Sequence, residues 1–170
     1  NYNSEVRSIS KNNGSISLEV NNSISEYDIA AVNADYAYTK TDLLKRNIPQ
    51  YKYSCSVYLI YLGLKKKVRN LEHHNLFFAR DLNKNLDLIF KTKFVPDDPS
   101  FYVHVPTVTD SSLAPVGKDI LYLLIPVANL ENSQEDLSKK EANLRKIVFE
   151  RINQEIGEDL ESLIEVEHRF

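Results

Sequence analysis

Four histidines are the residues in this 170-residue chain whose chemistry first suggests a site. His73 and His74 are adjacent, and neighbouring side chains on a strand point to opposite faces of the sheet, so the two imidazoles are poorly placed to hold one ion. The sequence does not place His104 or His168 relative to that pair. We therefore interpret all four as structural or surface residues and predict no metal site.

The single cysteine and the aspartates add no catalytic group. Cys55 lies in a run of Tyr, Ser, Val and Leu, where a cysteine behaves as a small hydrophobic residue. Because no second cysteine is present, the chain forms no internal disulfide. Asp97, Asp98 and Asp110 have the neighbours that are typical of turn and capping residues. The residues alone therefore indicate no nucleophile, acid or base.

The four glycines are too widely spaced to bind a phosphate. They are Gly14, Gly63, Gly117 and Gly157. A nucleotide-binding loop needs clustered glycines, because its backbone approaches the anion closely and often at positive φ. Neither a Rossmann fingerprint nor a P-loop occurs in the chain. A nucleotide bound here would need a glycine-rich loop from elsewhere.

The composition is typical of a globular domain. Hydrophobic residues make up 42% and charged residues 26%, and the net charge of −3 gives no general attraction to nucleic acid. The 10 tyrosines and 7 phenylalanines are interleaved with leucines rather than with Arg or Lys, which favours a core or an apolar ligand wall over a base-stacking platform. Because methionine is absent, we expect a processed protein or a piece of a longer one.

Alternating, aromatic and β-branched segments predict many strands. The strand predictions are residues 5–10, 15–20, 27–32, 53–64, 76–79, 101–105, 120–127 and 163–170, with an Asn-Gly turn between the first two. The segment 53–64 is apolar enough for both of its faces to be buried.

Three segments predict helices. Residues 134–156 have an apolar stripe, with Ser133 and Asp136 as a capping-box-like start and Gly157 as the C-terminal stop. Residues 41–46 and 81–90 predict shorter helices. Strands interrupted by helices at irregular spacing indicate an α+β fold, with a mixed or mostly antiparallel sheet and flanking helices.

Three segments match the motifs of one protein family. Residues 27–35 read YDIAAVNAD, residues 53–64 read YSCSVYLIYLGL, and residues 98–130 read DPSFYVHVPTVTDSSLAPVGKDILYLLIPVANL. In this order they resemble the bacterial carotenoid desaturase family, and Ser111 and Ala128 stand where that family commonly has prolines. The Tyr-Ser-Cys-Ser form and the Lys- and Asn-rich composition look most like diapophytoene (dehydrosqualene) desaturases. Phytoene desaturases share nearly all of these motifs.

The resemblance implies an internal part of a longer, two-domain FAD-dependent oxidoreductase. Residues 1–35 would be strands that belong or return to the FAD-binding domain, and residues 36–170 would form the substrate-binding domain. The glycine-rich FAD motif and the C-terminal flavin-contacting segment would lie outside the chain. We therefore expect neither bound FAD nor activity from the chain alone.

The resemblance also implies which residues approach the cofactor. Val6 would lie against the adenine of FAD through its backbone. The strand end at Asn33, Ala34 and Asp35 would pass near the cofactor. The resemblance names no catalytic acid or base within this stretch.

The implied reaction introduces C=C bonds into a linear C30 or C40 carotenoid precursor, diapophytoene or phytoene. The strands 53–64 and 120–127 would suit the walls of a hydrocarbon site, or they are simply core. A lipid substrate implies a cytoplasmic enzyme that lies peripherally on the inner face of the cell membrane, with no nucleic-acid partner. Unpaired strand edges within residues 1–35 also predict an artificial homodimer of the isolated chain.

Two other functions stay open on the sequence. A related flavin-dependent carotenoid oxidase or isomerase would act on the same polyenes. A stand-alone lipid-binding or interaction module would need no flavin segments at all. Desaturation is the leading hypothesis, because the matched motifs extend over essentially the whole chain in the order of the family.

Overall fold

The computed structural model describes residues 2–49, 53–129, 133 and 136–170, and the chain divides into two compact units, Asn1–Lys52 and Tyr53–Phe170. The first unit contains the strands β1 (Val6–Asn12), β2 (Ser15–Val20) and β3 (Ser23–Tyr27) and the helix α1 (Tyr36–Tyr38), which continues as a π-helical turn (Thr39–Leu43). The second contains β4 (Ser56–Leu64), β5 (His74–Phe77), α2 (Leu82–Asp87) with a π-helical turn (Leu88–Thr92), β6 (Phe101–His104), β7 (Asp119–Val127), α3 (Leu137–Ile156) and β8 (Ile164–Arg169).

Two tight turns shape the first unit into a three-stranded antiparallel sheet of order β1-β2-β3. Asn13 and Gly14 at the first turn have φ of 30° and 103°, which confirms the predicted Asn-Gly hairpin. Asn21 and Asn22 also have positive φ, and they return the chain so that Ser23 pairs with Val20. The sequence placed the third strand at residues 27–32, which is wrong, because this second turn starts the strand four residues earlier.

The helix of the first unit begins at an aspartate cap. The backbone N–H of Tyr38 donates to Asp35 Oδ1 at 2.9 Å, which satisfies a donor at the start of α1. The helical segment therefore covers Tyr36–Leu43 rather than the predicted residues 41–46. The cap was not recognised in the sequence, because Asp35 ends a motif that was interpreted as a strand.

The second unit is built on a five-stranded antiparallel sheet of order β5-β6-β7-β4-β8. The sheet and α3 confirm the predicted α+β class, and all described strand pairs are antiparallel. Strands β4 and β7 pair along their full length, from Ser56 opposite Val127 to Leu64 opposite Asp119. This pair lies inside the sheet, so its side chains determine both faces of the second unit.

One face of the sheet packs into a single hydrophobic core with α3. Fully buried members of this core include Ile60, Val103, Leu123, Val148 and Ile152. The prediction that β4 buries both faces is wrong, because its residues alternate and Tyr61 is 41% exposed. The helix covers only one side of the sheet, and alternate residues of each strand point to the other side.

The helix α3 has a defined beginning and end. Asp136 is its N-cap, and its carboxylate accepts from the backbone N–H of Ser138 at 3.0 Å. The predicted start at residues 134 and 135 lies outside the described residues. Gly157, with φ of 74°, terminates the helix as predicted, and its N–H donates to the carbonyl of Asn153 at 2.9 Å. Across the described residues, we find no helix that combines the length and apolar character needed to cross a membrane.

Candidate functional site

The face of the five-stranded sheet that points away from the core is lined by apolar and aromatic side chains. Tyr61 in the inner strand β4 is flanked by Tyr122 on β7 and by His168 on β8. The Tyr61 and Tyr122 rings lie 5.1 Å apart and are tilted by 50°. This arrangement follows from the register of the sheet, because directly paired residues present their side chains on the same face.

A hollow of about 460 Å³ lies on this face. The residues that line it are Tyr61, Leu62, Gly63, His104, Pro106, Ile120, Leu121, Tyr122, Val166 and His168. Gly63 pairs with Ile120 on one side and with Val166 on the other. Since Gly63 has no side chain, the sheet is depressed between those two neighbours.

A second hollow, of about 680 Å³, continues the first one along the same face. It is lined by Leu59, Tyr61, His168 and Phe170, so it shares Tyr61 and His168 with the first hollow. The Phe170 ring meets the Tyr61 ring edge-on at 5.7 Å. We call the surface of the two hollows together the outer apolar strip.

The outer apolar strip is lined by aliphatic, aromatic and histidine side chains. No Asp, Glu, Lys or Arg is among the described residues that line its two hollows. Partial burial raises the pKa of Tyr122, and the neighbouring Tyr61 and Tyr102 raise it further. Partial burial also lowers the pKa of His104, helped by the adjacent His73 and His74. The phenol and the imidazole therefore both stay uncharged.

Strand β8, which supplies Val166 and His168 to the strip, is held to α3 by an ion pair. Arg145 Nε and Nη2 donate to the two carboxylate oxygens of Glu167 at 2.8 and 2.6 Å. The guanidinium also lies 4.0 Å above the Phe149 ring. A bidentate pair fixes direction as well as distance. It therefore holds β8 in the position from which Val166 and His168 reach the strip.

The structure brings three of the four cofactor-site candidates together in the first unit. Val6, Asn33 and Ala34 all line a pocket of about 330 Å³, beside Ala30 and Ala31. Val6 is distant in sequence from Asn33 and Ala34, and the pocket forms where the segment after β3 returns past β1. That these residues contact a cofactor stays a prediction.

Asp35, the fourth candidate, is not among the described residues that line this pocket. Its carboxylate accepts from Tyr38 N and begins α1. A capping role accounts for the observed contact. Any approach of Asp35 to a cofactor likewise stays a prediction.

The histidines are placed differently from the sequence argument. His73 precedes β5, which begins at His74, so the rule of opposite faces does not apply to the pair. His74 pairs with His104 across β5 and β6, and the ligand nitrogens of all three rings lie within 4.8 Å of one another. Sequence reasoning missed this cluster because the pairing of β5 with β6 is not visible in local patterns. His168 lies on the strip instead.

Comparison with known proteins finds relatives whose names agree on one kind of enzyme. The chain is 43% identical over 151 residues to a zeta-carotene-forming phytoene desaturase of Myxococcus xanthus, covering 85% of the chain and 29% of the relative. It is 38% identical over 150 residues to a 4,4'-diapophytoene desaturase (4,4'-diapolycopene-forming) of Methylomonas sp, covering 82% of the chain and 29% of the relative. No family model matches the chain.

A solved structure shares the fold. The crystal structure of an oxidoreductase from Methanosarcina mazei matches 98% of this chain and 36% of its own, with a TM-score of 0.57 and 15% sequence identity. That likeness concerns the fold alone. The chain spans less than a third of the length of the two desaturases it matches. Since the identity to both extends over more than four fifths of the chain, the chain belongs to the carotenoid desaturase family.

Proposed function

We propose that the chain is the substrate-binding part of an FAD-dependent desaturase of linear carotenoid precursors, and that the outer apolar strip holds the polyene. The observation that supports this most directly is an exposed, aromatic strip, with no Asp, Glu, Lys or Arg among its described lining residues, beside an already complete hydrophobic core. A hydrocarbon has no hydrogen-bonding group, so it binds through apolar burial and dispersion contacts. Contiguous exposed apolar surface of this kind marks a binding site.

The shape of the strip suits an extended ligand. Its two hollows share Tyr61 and His168, so a linear chain can occupy both without crossing a charged side chain. Gly63 lowers the floor of the first hollow, and Phe170 borders the second. Strands β4 and β7, which line the first hollow, also contribute to the core through Leu62 and Leu121. The sequence left open whether these strands form a hydrocarbon wall or core. In this proposal their outer face is the hydrocarbon wall and their inner face is core.

The pocket in the first unit fits one part of FAD. Its lining combines small apolar residues, Val6, Ala30 and Ala34, with the polar Asn33, and its volume of about 330 Å³ has room for a flat ring system such as adenine. The described lining includes no Lys or Arg, and the chain has no clustered glycines for the pyrophosphate. The rest of the cofactor would need parts of the protein beyond these residues.

The chemistry requires two hydrogens to leave adjacent saturated carbons. FAD, when bound, would supply the two-electron oxidant: one carbon loses a hydride to it, the next loses a proton, and a C=C bond forms between them. The residues of this chain would hold the substrate extended, exclude water and fix which carbons react. Tyr61 and Tyr122 would do so through contacts of their rings, which lie 5.1 Å apart on the strip.

The substrate class follows from the names of the relatives. One is a phytoene desaturase and the other a diapophytoene desaturase, so a C40 or a C30 precursor is the proposed substrate. Such hydrocarbons dissolve in the membrane. We therefore propose that the protein works in the cytoplasm, peripherally at the inner face of the cell membrane.

Product analysis tests the proposal. The complete reading frame that contains this chain is expressed in cells that make diapophytoene or phytoene, and the extracted pigments are read by absorption spectroscopy and mass spectrometry. We expect products that have lost pairs of hydrogens. An aldehyde would indicate an oxidase, an isomer of unchanged mass would indicate an isomerase, and unchanged precursor would support a binding module.

A charge on the strip tests the location of the substrate. Tyr61→Asp should abolish the product, since a carboxylate against a hydrocarbon chain cannot be compensated there. Val116→Asp is the matched control, because Val116 is fully exposed in a loop outside both hollows. Equal activity of the two variants, at equal protein levels, would place the substrate elsewhere.

A further inference from the structure

Three imidazoles converge beside the strip, at the β5–β6 edge of the second sheet. The ring centroids of His73 and His74 are 4.3 Å apart, those of His73 and His104 are 4.6 Å apart, and those of His74 and His104 are 5.3 Å apart. One ligand nitrogen from each ring lies within 4.8 Å of the other two. Side chains from two strands and the bend before β5 are thus directed at one small volume.

Hydroxyl groups hold the outer nitrogens of two of these rings. His73 Nδ1 lies 2.5 Å from Thr109 Oγ1, and His74 Nδ1 lies 2.6 Å from the hydroxyl of Tyr102. When each Nδ1–H donates to its hydroxyl oxygen, Nε2 carries the lone pair. This is the arrangement of metal-binding histidines, whose second nitrogen is usually hydrogen-bonded by an outer partner.

The inner nitrogens are already close to the spacing that one ion requires. His73 Nε2 and His104 Nε2 lie 2.9 Å apart, where they share one proton. Zinc–nitrogen bonds of about 2.0–2.1 Å in tetrahedral geometry separate two ligands by about 3.4 Å. An ion that replaces the shared proton would therefore need only a small outward movement of these two rings. The ligand nitrogen of His74 already lies within 4.8 Å of those of His73 and His104, so it can complete the set.

We propose that His73, His74 and His104 form a binding site for one borderline divalent transition-metal ion, with Zn²⁺ as the reference ion and water at the fourth position. Three imidazoles suit Zn²⁺, Cu²⁺ or Ni²⁺, whereas Mg²⁺ and Ca²⁺ require oxygen ligands. The proposal goes beyond the desaturase function, and it does not depend on that function.

The hydrogen-bond partners of the three rings are compatible with an ion at this position. The hydrogen bonds that the three rings make go to Thr109, Tyr102 and one another rather than to carboxylates. Among the described residues, none of these hydrogen-bond partners is a carboxylate that an incoming ion would have to displace.

Metal titration tests the site directly. The untagged chain, freed of metal with a chelator, is titrated with Zn²⁺ by calorimetry and with Co²⁺ by visible absorption, which reports nitrogen coordination. We expect one ion per chain. His74→Ala and His104→Ala should each lower the affinity by at least about 10-fold, and Tyr102→Phe should lower it by about 10-fold through loss of the outer hydrogen bond.

His168→Ala is the matched control, because this fourth histidine lies outside the cluster. Its affinity should equal that of the unaltered chain. His74 is exposed, so His74→Ala should fold normally, and circular dichroism checks each variant. Absence of binding by the unaltered chain, or affinities of His74→Ala and His104→Ala that equal the affinity of the unaltered chain, would overturn the proposal.

Discussion

Tyr61 of β4 lies directly opposite Tyr122 of β7, and their rings lie 5.1 Å apart on the face of the sheet that points away from the core. Three residues earlier in the same strand, Tyr58 points into the core and is 3% exposed. The two faces of one strand therefore have separate roles. One face stabilises the unit, and the other is available to a ligand.

Alanine substitutions on the two faces of β4 should differ sharply in their effect on stability. Tyr58→Ala should lower the free energy of unfolding by about 3–5 kcal/mol, because it empties a buried site. Tyr61→Ala should cost about 1 kcal/mol or less, since it removes a cross-strand pair that is open to solvent. Urea denaturation of the chain measures both, and equal losses would contradict the assignment of the faces.

Filling the depression at Gly63 should impair activity more than stability. Gly63→Phe places a ring between Ile120 and Val166, in the hollow of about 460 Å³. We expect product formation by the complete protein to fall by at least about 10-fold, because substrate placement controls the reaction. Val116→Phe adds the same ring to an exposed loop and should leave activity unchanged. Full activity of Gly63→Phe would exclude the hollow as the substrate site.

Breaking the Arg145–Glu167 pair should loosen β8. Arg145→Met removes two charge-assisted hydrogen bonds between side chains that are each 18% exposed, so we expect a loss of about 1–3 kcal/mol in urea denaturation. Lys146→Met is the control, because Lys146 and Glu150 form an exposed pair at 3.8 Å. Its effect should stay below about 0.5 kcal/mol. Similar losses in the two variants would show that the half-buried Arg145–Glu167 pair stabilises the fold no more than the exposed Lys146–Glu150 pair does.

The carboxylate of Asp98 should make stability depend on pH in the acid range. Partial burial alone would raise its pKa, but the backbone and side-chain hydrogen bonds of Arg80, with the charges of Arg80 and Arg151, hold it below the usual 3.8. A lowered folded-state pKa stabilises the native state above pH 3.8, and this contribution is lost as the pH falls through the folded-state pKa.

Comparison of Asp98→Asn with the unaltered chain checks this dependence. The variant should be less stable at pH 7, and the difference should shrink as the pH falls below 3.8. Asp87→Asn is the control, since Asp87 pairs with Lys91 on an exposed helix surface. A difference for Asp98→Asn that stays constant between pH 7 and pH 3 would contradict the argument.

Local chemistry predicted much of the framework. The turn at Asn13-Gly14 and the helix end at Gly157 were predictable because positive φ strongly favours Asn and Gly. The third strand was misplaced because two adjacent asparagines close a turn without any glycine. The correct predictions and the misplaced strand all depend on a few neighbouring residues. The strand was misplaced because the Asn21-Asn22 turn has the weakest sequence signal of the three.

The candidate site depended on pairing that local patterns do not contain. A run such as LIYLGL shows that a strand is apolar, but only its register with β7 and β8 places Tyr61 and Gly63 on an uncovered face. The histidine cluster was missed for the same reason, since His74 meets His104 through the pairing of β5 with β6. The sequence proposed the strands 53–64 and 120–127 as the walls of a hydrocarbon site or as core, but it did not indicate which of their faces would be uncovered.

The tyrosines of the outer apolar strip also provide an intrinsic optical probe. The chain contains no tryptophan, so its ultraviolet fluorescence comes from its 10 tyrosines, and Tyr61 and Tyr122 lie on the strip itself. A bound polyene that absorbs in the range of tyrosine emission would quench these two residues by energy transfer. Occupancy of the strip is thus measurable without a label or a flavin signal.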